Sequence, residues 1–187
     1  MKRSLSSHLA VLGLSTLVGL VGVTMPTTQS LAQTGSTRQN YSYSTDNGSR
    51  LSVPGRWEER SDLNAEANLQ VADLRAEEYL IVISEPKSDF PGNWTFRNHA
   101  DVTRQLLLDN LGTAASVSSP SQFTINGRQA VQYEIRAEIQ GLQVVYLHTT
   151  VDGANTYHQL LAWTLSDRYP NNQSVLQTAI GSFEEVR

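Results

Sequence analysis

Past residue 40 the chain switches between two hydrophobic periods. Tyr41-Ser42-Tyr43-Ser44 sets aromatic against polar residues in turn, as a half-buried strand does. Asp46-Asn47-Gly48 reads as a turn, and Arg50 to Val53 as a second short strand before Pro54-Gly55 turns the chain again. Asn68 to Arg75 and Glu78 to Ser84 are the next strands. The apolar core of the second is unbroken, which predicts a central strand covered on both faces. After a loop from Pro86 to Asn93 the period lengthens. Phe96, Ala100, Thr103, Leu107 and Leu111 fall on one stripe, with Leu106 beside it, and predict a helix over 95–111 that ends at Gly112. Val117 to Ile125, Arg128 to Glu138, Gln143 to Val151 and Thr156 to Ser166 then read as strands joined by Asn126-Gly127, Gly141 and Asp152-Gly153. A short helix over 172–180 points Leu176, Ala179 and Ile180 inward, with Phe183 just beyond it. Strands, a long helix, antiparallel strands and a closing helix make an α+β domain over 41–187.

Residues 1–32 follow a different plan. Lys2 and Arg3 precede a charge-free stretch from Leu9 to Met25, Pro26 breaks it, and Ser30-Leu31-Ala32 supplies small residues for a signal peptidase. The stretch falls short of the ~20 residues a span needs, so the expectation is a cleaved secretion signal, and the alternative a retained anchor. Residues 33–40 are polar and aperiodic, a flexible lead-in. The expected address is outside the cytoplasm: periplasm, thylakoid lumen or medium, with no stable membrane insertion once the leader is gone.

Composition removes several function classes. The chain has 187 residues and no cysteine, so disulfides, thiolate metal sites and a cysteine nucleophile are excluded. Its formal charge is −4, which becomes −6 without Lys2 and Arg3. Such a body is repelled by phosphate backbones, so nucleic acid is not an expected partner.

The entry YSYS…RLSVPGRWEE, the central YLIVISEPKSDF, the long helix, INGRQAVQYEI and the closing GSFEEV together resemble the PsbP/Mog-like superfamily, in particular its exported bacterial domains of unknown function. The likeness spans Tyr41 to Val186. It implies an antiparallel sheet sandwiched by helices (an α/β/α sandwich) and a non-enzymatic role. PsbP proteins are extrinsic lumenal subunits that assist photosystem II, and the Mog relatives bind a small GTPase in the nucleus. That nuclear partner does not carry over to an exported chain, and the more specific PsbP motifs around the long helix are absent.

Candidate chemistry is sparse. His148 and His158 flank the Asp152-Gly153 hairpin. Pairing Val145 and Leu147 with Leu161 and Trp163 requires an even register sum and puts both imidazoles on one face. There they could share a divalent metal with Asp152 or Asp167, and support a metal-dependent hydrolase. His99, two residues from Asp101, reads as part of a solvated helix face. No G-x-S-x-G elbow or S-x-x-K motif occurs, and adjacent pairs such as Glu58-Glu59 and Glu77-Glu78 read as solvated. Phe90 and Trp94 lie in the loop entering the helix, where they could anchor a partner. With Lys87 and Asp89 they form the expected binding surface. The leading expectation is a non-catalytic binding or assembly module without a cofactor, recruited to a protein or membrane complex. A photosystem II accessory protein is a special case of it.

Overall fold

The computed structural model describes residues 40–44, 48–112 and 114–186. The expected leader, the lead-in apart from Asn40, and most of the first turn lie outside them. Strands β1 (Asn40–Ser44), β2 (Ser49–Pro54), β3 (Glu58–Glu59), β4 (Leu69–Asp73) and β5 (Glu78–Pro86) come first. A 3-10 turn over Lys87–Asp89 leads to helix α1 (Phe96–Leu111). Then follow β6 (Ser116–Val117), β7 (Ser121–Ile125), β8 (Arg128–Ile139), β9 (Leu142–Asp152), β10 (Thr156–Leu165), α2 (Tyr169–Gly181) and β11 (Glu184–Glu185).

Among the described residues these strands form two antiparallel sheets. The large one has the order β3-β4-β5-β10-β9-β8-β6, with β7 also on β8; the small one is β1-β2-β11. Side chains alternate across the large sheet. One face presents Ile81, Ile83, Tyr133, Ile135, Tyr146 and Leu161 to Ala100, Leu107 and Leu111 of α1. The other presents Val82, Val145, Leu147, Leu160 and Ala162 to Leu176, Ala179 and Ile180 of α2, and to Leu51 and Val53 of the small sheet. Burial on both faces explains the unbroken apolar run in β5.

Local chemistry sets the ends of the elements. Thr95 Oγ1 accepts from Asn98 N at 3.1 Å while Asn98 Oδ1 accepts from Thr95 N at 3.0 Å, a capping box that starts α1. Gly112, at φ +86°, donates to Leu108 O and ends it. The strand expected over 117–125 is two, because Pro120 has no N–H for the ladder. The pairing register on β8 shifts by one residue between β6 and β7. Helix α2 begins before Asn172, with Pro170 in its first turn where a missing N–H costs nothing. Glu78 corrects the solvated reading. It is 1% exposed, ion-paired with Arg56, and accepts from Trp57 Nε1 at 2.8 Å. Arg56 Nε also holds Asp73 Oδ2 at 2.6 Å, tying the Pro54–Trp57 turn to the β4–β5 hairpin.

Candidate functional site

One end of the large sheet gathers the end of β5, the start of β10, the β9–β10 turn and the N-terminus of α1. The loop between β5 and α1 is strapped across it. Lys87 N donates to Asn155 O at 2.8 Å, and Lys87 Nζ reaches Asp152 Oδ1 at 2.6 Å and Gly153 O at 2.7 Å. The same ammonium lies 4.9 Å from the centre of the Tyr157 ring. Phe90 is buried, and it stacks on Trp94 with ring centres 5.6 Å apart and meets His99 and Tyr157 edge-on. Trp94 is half-buried, and its indole N–H has no acceptor among the described residues. Asp89, Pro91, Gly92 and Asn93 are exposed.

The four residues read as a binding surface therefore divide. Lys87 is spent on an internal ion pair and Phe90 is a buttress, whereas Asp89 is exposed and Trp94 is half-buried with its indole nitrogen out of solvent. Tyr157 completes the group, its hydroxyl donating to Trp94 O at 3.4 Å. Alternation in β10 does not single it out, because that strand is buried on both faces.

Beneath the loop runs a buried polar seam between α1 and the sheet. Glu85 Oε2 accepts from Gln159 Nε2 at 2.7 Å and contacts His99 Nε2 at 2.9 Å. Gln159 Oε1 lies 3.4 Å from His148 Nε2. His99 is fully buried rather than solvated. Its spacing to Thr103 and Leu107, i to i+4 twice over, was the available signal. Burial pushes the His148 imidazole down to about 4, only partly offset by the Gln159 hydrogen bond.

The shared metal face does not exist. The observed pairs are Leu161 with His148 and His158 with Val151, an odd register sum, so the two histidines lie on opposite faces. Both faces of β9 and β10 are apolar, and hydrophobic alternation gave no register information. The Gly153–Thr156 turn sets it instead. Asp152 is taken by Lys87. Among the described residues no group of three or more His, Asp or Glu side chains could hold a metal ion.

His158 belongs to a clasp on the α2 side. Its Nδ1 lies 2.9 Å from Ser84 Oγ, which also meets the buried Ser49 Oγ at 3.2 Å. Its Nε2 faces Glu185 Oε1 at 3.5 Å. Arg128 reaches the same carboxylate at 2.7 Å and Ala154 N donates to it at 3.0 Å. Burial lowers the His158 imidazole. Burial alone would raise the Glu185 carboxyl, but the Ala154 N–H, Arg128 and His158 outweigh it and leave the group lowered. A hydroxyl, an imidazole and a carboxylate in a row resemble a nucleophile with its base and orienter. Here Ser49 roofs the hydroxyl from β2 and the carboxylate pins the C-terminal strand, so the arrangement fastens the two sheets together.

No family model and no curated protein matches the chain. Solved structures do. The solution structure of cyanobacterial PsbP (CyanoP) from Synechocystis sp. PCC 6803 has a TM-score of 0.59 at 18% identity, covering 85% of this chain and 98% of that one. The fold is PsbP-like. The same PsbP-like sandwich occurs in LpqN of Mycobacterium tuberculosis, a protein involved in cell envelope biogenesis, with a TM-score of 0.56 at 18% identity over 81% of this chain and 93% of that one. A Bacteroides thetaiotaomicron VPI-5482 protein shares it at a TM-score of 0.53 and 14% identity, over 77% of this chain and 47% of that one. No helix among the described residues is long and apolar enough to cross a membrane.

Proposed function

We propose that this PsbP-like chain is a non-catalytic, extracytoplasmic binding or assembly module that docks on a partner protein or membrane complex through the β5–α1 loop. The half-buried Trp94 carries the reading. It stands on a loop whose other members are fixed: Lys87 by the hairpin turn, Phe90 by His99 and Tyr157. An aromatic held rigid on an exposed loop loses little conformational freedom on docking, which is how interface anchors work. Asp89 beside it adds a charge for orientation rather than strength.

The address rests on the leader-like segment and on likeness to a cyanobacterial PsbP and a cell-envelope protein. A photosystem II accessory role is the special case that the CyanoP likeness favours. The test is capture of the C-terminally tagged protein from its own organism, beside Trp94→Ala and Asp89→Lys variants. A stoichiometric partner held by the wild type and lost by Trp94→Ala supports the reading. A partner held equally by both variants, or none from membranes or soluble fraction, refutes it.

A further inference from the structure

Between the start of α1 and strands β7 and β8 lies an open cleft of about 540 Å³. Phe96 and Arg97 of the first helical turn form one wall, and Gln122 and Phe123 of β7 with Gln129 and Val131 of β8 form the rest. Two features give this cleft a preference for negative charge. Among the described residues every lysine and arginine except Arg75 and Arg97 is ion-paired with a carboxylate. Arg97 lines the cleft, and it is aimed there by a bond from its Nη2 to Gln122 Oε1 at 2.7 Å, which leaves the remaining guanidinium donors free. The first turn of α1 also contains no acidic residue, so the positive end of the helix dipole is not neutralised locally.

The remaining lining is apolar or uncharged. Phe96 is a half-buried ring and Val131 is buried, both on the α1 face of the sheet, whereas the Phe123 ring packs into the core on the α2 face. Gln122 and Gln129 supply amides that accept or donate. The volume lies in the range of small-ligand clefts. One cation at an open mouth, with the Phe96 ring and Val131 beside it and no carboxylate in the lining, matches a molecule with one anionic head and a flat apolar body.

We infer that the Phe96–Arg97 cleft binds a small organic monocarboxylate with an aromatic or aliphatic body, its head paired with Arg97. The site is separate from the Trp94 loop and does not depend on the docking proposal. The geometry favours a carboxylate over a larger dianion, because a single guanidinium fork meets two oxygens side by side.

The test titrates the ¹⁵N-labelled purified protein with 4-phenylbutyrate and, in parallel, with 4-phenyl-1-butanol, following the Arg97 Nε–H and the Gln122 and Gln129 side-chain amide resonances. Saturable shifts at these groups with the acid are expected, with the alcohol at least about tenfold weaker, the ratio expected of one charge-assisted hydrogen bond. Arg97→Gln should weaken the acid by at least about tenfold. Arg75→Gln, which removes the other cation without a carboxylate partner, should leave it unchanged. No saturable shift with the acid, equal response to acid and alcohol, or an Arg97→Gln protein that binds like wild type each overturns the assignment.

Discussion

His148 makes folding sensitive to mild acid in a way that can be isolated. The folded protein holds its imidazole neutral down to about 4 because the ring is fully buried, whereas in the unfolded chain it titrates near ~6.5. Between these values the unfolded chain binds a proton that the folded chain refuses. Stability is therefore complete above the unfolded value and falls as pH drops toward the folded one. At ~1.4 kcal/mol per unit, the loss is about 2 kcal/mol between pH 7 and pH 5, and about 3 kcal/mol by pH 4. His148→Phe keeps a ring against Tyr133 and removes the titration. It leaves Gln159 Oε1 without its histidine, so the variant starts lower by about 1 kcal/mol at pH 7. Urea unfolding at pH 7, 6 and 5 should give a steep decline for wild type and a decline smaller by about 2 kcal/mol for His148→Phe. His158 contributes in the same direction in both proteins and cancels in the difference. Parallel curves for the two would refute the buried neutral imidazole.

Removing the Arg56 cation leaves Asp73 and Glu78 buried beside one another, so Arg56→Met should lower stability by about 3 kcal/mol in a denaturant titration. Gly153→Ala should cost about 1–3 kcal/mol, seen as a lower melting temperature, because the added Cβ would lie 2.6 Å from Thr156 O and 2.8 Å from His158 Nε2. The lowered Glu185 carboxyl stabilises the clasp above its unfolded pKa, and that contribution is lost as pH falls through the depressed folded value. Glu185→Gln should raise hydrogen exchange at the Ala154 amide by about tenfold at neutral pH while leaving α1 unchanged.

Much of the fold was legible because each device was local. The hydrophobic stripe from Phe96 and the stop at Gly112 bound α1 within a residue, and the turns at Asn126-Gly127 and Gly141 separate β7, β8 and β9. What could not be read was pairing between distant segments. Nothing in Glu184-Glu185 announces that they join β2 in a second sheet, and the odd register of β9 and β10 is invisible where both faces are apolar. The site was legible only in outline. A loop with Lys87, Asp89, Phe90 and Trp94 draws attention by composition. Which of them points outward is decided by Asp152, His99 and Tyr157, all distant in sequence or on another element. Glu85 and Gln159 show the same difficulty, since a buried polar pair within an apolar strand has meaning only opposite its partner.

Docking through the β5–α1 loop, as proposed above, requires Trp94 to meet the partner. The most direct test is quantitative capture from native extracts with wild-type, Trp94→Ala and Arg97→Gln proteins at equal expression, with the bound partner measured by mass spectrometry. One stoichiometric partner is expected, reduced at least about tenfold by Trp94→Ala as befits an interface anchor, and retained by Arg97→Gln. Retention of that partner by Trp94→Ala at the wild-type level would contradict docking through this loop.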